Sequence, residues 1–170
     1  MGVVPGAHSF LVDHRSGFEA SDQASADDAR VRLRQRGIVS VEPDERIGVM
    51  LAPGERVVAV RRAIAIERLK DERHPERALR GDLYVTTNRL VCLGQVPVDV
   101  PLVEIKEAVV VAGVLRLVIG HGRGLGIRTR DPLLLRVELS AVREAARGAA
   151  SSARPVDEGR HDTTPGTGES

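Results

Sequence analysis

Residues 81–94, GDLYVTTNRLVCLG, read as two strands joined by a tight turn. Residues 82–86 and 90–93 carry the β-branched and aromatic side chains that suit a pleated, partly buried surface. Thr87-Asn88 between them closes a two-residue hairpin, since Asn tolerates positive φ better than most residues. On this reading Tyr84 and Leu90 pack, Asn88 makes the turn, and Arg89 is free to touch a ligand.

Working upstream, residues 56–68 (RVVAVRRAIAIER) form a long strand pattern. Val58, Val60, Ile64 and Ile66 share one face, and Val57, Ala59, Ala63 and Ala65 the other. Arg61-Arg62 interrupts the alternation, where a bulge would turn both guanidiniums outward. Residues 52–55 (APGE) are a turn. Ser25-Ala26-Asp27-Asp28 looks like a capping box opening a helix that stops at Gly37, with acids in its first turn and Arg34 and Arg36 in its last. Alternation of Ala29, Val31 and Leu33 with arginines fits a strand as well. The arginines of this segment are read as a solvated face rather than a phosphate site. Residues 1–25 lack a sustained period and read as a flexible tail; His8, Asp13 and His14 there are solvated tail residues, not metal ligands.

Working downstream, Pro97 and Pro101 remove ladder donors, so residues 96–102 predict an edge strand with Val96, Val98, Val100 and Leu102 on one face. Further strands follow at 105–112, 115–119 and 125–129, with the glycine-rich turn 120–124 (GHGRG) between the last two. That glycine run lacks G-x-G-x-x-G spacing and precedes no helix, which excludes the dinucleotide fingerprint. Asp131-Pro132 starts a helix, with Asp131 as the cap. Its apolar arc is Leu134, Leu135, Leu139, Val142, Ala145 and Ala146, its polar arc is Arg136, Ser140, Arg143, Glu144 and Arg147, and Gly148 ends it. Glu138 falls on the apolar side with no reason visible in sequence. Residues 148–170 read as a disordered tail.

Composition narrows the function classes. The 170 residues contain no Trp, one Tyr and two Phe, which removes the ring platforms of base-stacking and carbohydrate-binding modules. The net charge of +1 with interspersed signs gives no global field toward nucleic acid. Cys92 is the one cysteine, so no internal disulfide forms, a reducing cytoplasm is expected, and the thiol reads as an inert core group. No apolar run is long enough to span a bilayer, and the N-terminus lacks a signal-peptide pattern. Paired-Cys, HExxH, EF-hand and G-x-S-x-G motifs are absent, so neither a metal, a cofactor nor a catalytic constellation is expected.

Many short strands followed by one amphipathic helix make the plan of a small barrel closed by that helix. The chain resembles the GRAM and bacterial pleckstrin-homology-like domains in LAPGE (51–55), the 81–94 hairpin and VPLVEIKEAVVV (100–111). The likeness covers residues 50–147 and departs from the family in lacking a Trp on the last helix. It implies a mainly β (α+β) fold: a PH-like, partly open antiparallel barrel, a C-terminal helix, and an extra N-terminal helix with linker at 26–49. It also implies a non-catalytic binding or scaffolding module.

In eukaryotic relatives, basic residues around the first strands hold inositol phosphates. The corresponding candidates are Arg61, Arg62, Arg68, Lys70, Arg73, Arg77, Arg80 and Arg89, able to clamp a phosphate bidentately. Interleaved Glu67, Asp71, Glu72 and Glu76 oppose an anion. Binding of an unknown protein partner, or self-association, is therefore preferred over contact with an anionic membrane. The candidate partner surface is Arg136, Arg143 and Arg147, with the 96–102 sheet edge.

Overall fold

The computed structural model describes residues 9–69 and 79–152. Candidates Lys70, Arg73 and Arg77, His8, and the tail beyond 152 lie outside them. The elements run α1 (Ser9–Arg36), α2 (Glu45–Gly48), β1 (Val57–Leu69), β2 (Leu79–Thr86), β3 (Arg89–Gly94), β4 (Val98–Pro101), β5 (Ile105–Val111), β6 (Val114–Ile119), β7 (Arg123–Arg128) and α3 (Pro132–Ser152). All strands join one antiparallel sheet in the order β4-β3-β2-β1-β7-β6-β5. The sheet is not closed: β4 and β5 are its two edges, linked in sequence by the 3-10 turn Leu102–Glu104. Both edges nevertheless feed one aliphatic core, in which Val98 and Ile105 pack with Leu135, Leu139 and Val142 of α3.

The hairpin at 81–94 forms in the expected register, with Val85 opposite Leu90 and Tyr84 opposite Val91. Its turn is not built by a left-handed Asn88, because the only described non-glycine residues with positive φ are Ala63 and Ala112. Instead Asn88 N–H and Arg89 N–H donate to Thr86 Oγ1, at 3.2 and 2.9 Å, so a strand hydroxyl closes the loop. At the open end Gly81 faces Gly94. A Cβ on Gly94 would lie 2.2 Å from the Arg80 carbonyl oxygen, so only glycine allows this approach.

β1 is long enough to serve both halves of the sheet. It pairs with β2 from Val57 to Ile66 and with β7 from Ala65 to Leu69. The bulge expected at Arg61-Arg62 is present as a register shift between Arg61 and Ile64, and a second shift separates Val57 from Ala59. These shifts change the expected faces. Val58, Ala59, Ile64 and Ile66 point to the main core, whereas Val57 and Val60 join Tyr84, Val91 and Ile47 on the opposite face. One extra residue inverts the parity of a strand. Ala63 adopts φ 51° to achieve this. That conformation costs about 1–2 kcal/mol for a residue with a Cβ. Burying Ile64 and Ile66 contributes about 1.5–3 kcal/mol each, so the re-phased strand wins.

The opposite face of β1–β3 is covered by Ile47 of α2, fully buried with Tyr84, and by Leu51, whereas Ile38 packs on the main core. Asp44 caps α2 by accepting from Arg46 N–H and Ile47 N–H.

The helix reading of residues 26–36 prevails over the strand reading, but α1 begins at Ser9, so residues 9–25 are not the tail expected of them. The Ser25 capping box therefore does not form; Ser25 Oγ bonds back to the Ser21 carbonyl inside the helix. Gly37, at φ 68°, ends the helix as expected, its N–H returning to the Leu33 carbonyl. α1 lies on α3 through Ala26, Ala29 and Leu33, which meet Leu133, Leu134 and Val137. Asp22 continues this stripe and accepts from Leu133 N–H and Leu134 N–H at 2.9 and 3.1 Å. The cap of α3 thus comes from α1, not from Asp131. α3 also continues past Gly148 to Ser152. It has two apolar faces, 135/139/142 toward the sheet and 133/134/137 toward α1.

If Ala63 is held left-handed by the bulge, Ala63→Gly relieves the Cβ clash and stabilises the protein by about 1 kcal/mol, despite the greater freedom of Gly when unfolded. Urea midpoints measure this. A lower midpoint for the variant would show that the bulge carries no such strain.

Candidate functional site

Three of the arginines proposed from sequence, Arg61, Arg62 and Arg89, fall in separate polar clusters. At the turn end of the hairpin, Arg89 Nε donates to Glu55 Oε1 at 3.0 Å and Nη2 to Glu55 Oε2 at 3.1 Å, while Nη1 pairs with Asp99 at 2.7 Å. Thr86 Oγ1 donates to Glu55 Oε1 at 2.6 Å, and Ala52 N–H donates to Oε2 at 2.9 Å. The Glu55 side chain is only 1 % exposed. Burial pushes Glu55 up, but Arg89, Thr86 and the Ala52 N–H outweigh it and leave the carboxyl below its ordinary value. Arg89, which the sequence left free, is a clamp.

Arg61 and Arg62 flank the bulge and leave it on opposite faces, not both outward. Arg61 turns toward α3, with Nε 2.7 Å from Asp131 and Nη2 2.8 Å from Glu138. This accounts for Glu138 on an apolar arc: burial raises its pKa, and the Arg61 charge opposes that rise. Arg62 lies on the other face, pairing with Asp44 at 2.6 Å and Asp82 at 3.0 Å and reaching Tyr84 Oη at 2.8 Å. Tyr84 Oη in turn donates to Asp44, and Arg46 completes the group on Asp82. Arg62 and Tyr84 hold the Asp44 carboxyl down at about 2. Asp82 is lowered by the Ala63 N–H and by Arg62.

Arg68 and Arg80 lie exposed on β1 and β2, opposite Leu125 and Ala65. Arg80 and the Arg89 end of the hairpin are separated by six strand residues, roughly 20 Å. The described candidates therefore do not converge on one phosphate. Cys92 is buried in the core, which raises its thiol pKa. Among the described residues no group of three His, Cys, Asp or Glu is placed to hold a metal, and no helix is long and apolar enough to cross a membrane.

Three grooves flank α1 among the described residues, one of them, of about 330 Å³, lined by Arg32, Arg36, Val39, Val58 and Glu138. An open one of about 870 Å³ runs between α1 and the β1 bulge, with Phe18, Asp22, Arg62 and Arg130 on its walls. The third, of about 370 Å³, lies between α1 and α3, with Arg30, Arg34, Arg136 and Glu144 around Leu33, Val137 and Ala141. Of the expected partner surface, Arg136 lines this groove and Arg147 is exposed. Arg143 is half-buried, its Nη2 donating to the Ile105 and Lys106 carbonyls of edge strand β5. Burial, then the neighbouring charge of Arg147, lowers its pKa. Val96, at the other proposed edge, is exposed, outside the inward set Val98, Val100 and Leu102. Sequence reasoning missed the carboxylates at 22, 44, 82 and 131, whose partners are distant in the chain. The "PGE" turn was the one local signal for Glu55.

No family model matches the chain, that of the GRAM domains included, and no curated protein matches it. Among solved structures, the Vps36 N-terminal PH domain matches over 59% of this chain and 86% of its own at 15% identity and a TM-score of 0.45. The C-terminal domain of an unknown protein from Leishmania infantum matches over 62% and 88% at 13% identity and a TM-score of 0.36.

Removing Arg89 strands a buried carboxylate. Arg89→Met should cost about 3 kcal/mol, and adding Glu55→Gln should restore part of it. Denaturation of the single and double variants checks this, and additive losses would show that the two side chains are uncoupled.

Asp44 gives a pH signature. Its folded value of about 2 lies below the ordinary 3.8, so its contribution is complete above 3.8 and is lost as pH falls toward 2. Asp44→Asn, which keeps a capping side chain, should flatten the fall of the urea midpoint across that window. Parallel curves for wild type and variant would refute the assignment.

Proposed function

We propose that the chain is a non-catalytic, cytoplasmic binding module that docks a protein partner on its outer helical layer, with residues 50–147 as a GRAM-like domain and residues 26–49 packed upon it. The single observation that carries this reading is the division of the arginines. Arg61, Arg62 and Arg89 are held by carboxylates, whereas Arg34, Arg136 and Arg147 on the helices, like Arg68 and Arg80 on the sheet, have no ion pair among the described residues, and of these only Arg34 and Arg136 line a groove between two helices. The aliphatic interior, with no convergent polar groups, argues against a ligand inside the sheet. The headgroup alternative is left with Arg68, Lys70, Arg73, Arg77 and Arg80, since Arg61, Arg62 and Arg89 are engaged internally.

Affinity capture from native lysate with the full chain, followed by mass spectrometry, tests the reading. Arg136→Glu/Arg147→Glu should reduce recovery of the main partner several-fold, while the variant's urea midpoint stays within about 0.5 kcal/mol of wild type. Equal recovery removes this surface, and no specific partner for wild type removes the module reading.

A further inference from the structure

The groove between α1 and α3 defines the partner more closely, an inference that rests on the reading above. Its walls come from two helices held in register by the Asp22 cap and the Ala26–Ala29–Leu33 contact. Leu33, Val137 and Ala141 of the helices and Ala108 of β5 supply its apolar lining, with Ser140 beside them. Its rim carries three arginines against Glu144 as the single acid, on a chain whose net charge is only +1. Arg30 leans onto Asp27 one turn away, which leaves Arg34 and Arg136 as the two lining cations without an ion pair among the described residues.

We infer that this groove takes an acidic segment of a partner protein, carboxylates on Arg34 and Arg136 and an apolar side chain on the apolar lining. Guanidinium forks match carboxylates bidentately. None of the side chains lining the groove is aromatic, so it offers no stacking platform for single-stranded nucleic acid. Glu144 repels acid at its own end, so the segment's carboxylates sit away from it and its direction is set. Strand addition at β5 is a poorer fit, because Arg143 already occupies the first two edge carbonyls.

The test uses the full chain and a labelled peptide of alternating glutamate and leucine, followed by fluorescence anisotropy at low and high salt. A glutamine-for-glutamate peptide and phosphatidylserine–phosphatidylcholine vesicles serve as comparison probes. Wild type should bind the acidic peptide, weaken with salt, and ignore the glutamine version. Arg136→Glu and Arg34→Glu should each weaken binding about tenfold. Arg116→Glu on β6, an equal charge change outside the groove, should leave it unaltered. Equal losses in all three variants, or no peptide binding by wild type, overturn the proposal. Vesicle binding that is sensitive to Arg136 in place of peptide binding overturns it in favour of a membrane. If lysate capture of a partner persists while the peptide fails to bind, the acidic-segment inference falls and the binding-module reading stands.

Discussion

The Glu55 carboxylate is the constraint on which the hairpin half of the molecule depends. It sits where the segment entering β1 meets the β2–β3 turn, and it accepts from Arg89, from Thr86 and from the Ala52 backbone. Arg89 extends the same network to Asp99 on β4 and to the Met50 carbonyl. One buried acid therefore ties the linker, β2, β3 and the edge strand together. A buried ion pair of this kind is weak evidence for net stability, because both charges lose water. Its value lies in specificity: any register that separates Glu55 from Arg89 leaves a bare charge in the interior. Of the residues behind the resemblance of 51–55 and 81–94, Glu55, Thr86 and Arg89 belong to this network, Gly81 and Gly94 to the glycine contact behind it, and Leu83, Tyr84 and Leu90 to the packed faces. Their identity is explained by folding.

A second constraint acts on β1, which must serve two halves of the sheet that ask for different faces. The bulge resolves the conflict by changing parity at Arg61-Arg62, and its polar cost is met on both sides. Arg61 turns to Asp131 and Glu138, Arg62 to Asp44 and Asp82, and the Ala63 N–H to Asp82. An arginine pair that looks like a phosphate clamp in sequence is thus a device for crossing from one face to the other.

What was legible in the sequence was local. The hairpin, the proline-marked edge strand and the Gly37 stop each rest on neighbours in the chain, and each formed; α3 starts at Pro132 as expected, but with its cap supplied by Asp22. The clusters that decide the site are not local. Asp22 caps a helix more than 100 residues away, and Asp44 meets Arg62 and Tyr84 across 18 and 40 residues. The start of α1 escaped notice for a related reason. Its contact stripe is Asp22, Ala26, Ala29 and Leu33, with one large apolar residue and so little periodic hydrophobic signal, yet small groups are what let two helices approach closely. Glu138 shows the same limit from the other side: an acid that seemed misplaced on one helix was answered by a strand arginine 77 residues earlier.

The sorting of charge that results bears on where the molecule meets others. Carboxylates and arginines inside the fold are matched, and removing either partner exposes the other to an unfavourable interior. On the α1–α3 layer that logic does not apply. An exposed arginine without a partner adds almost nothing to stability, so Arg34, Arg136 and Arg147 are not accounted for by the requirements of the fold. Arg143 marks the boundary between the two regimes, since it lies on the same helix but is drawn in by the β5 carbonyls. Arg68 and Arg80, exposed on the sheet, share this lack of a partner among the described residues, so unpaired basic surface occurs on both layers of the molecule.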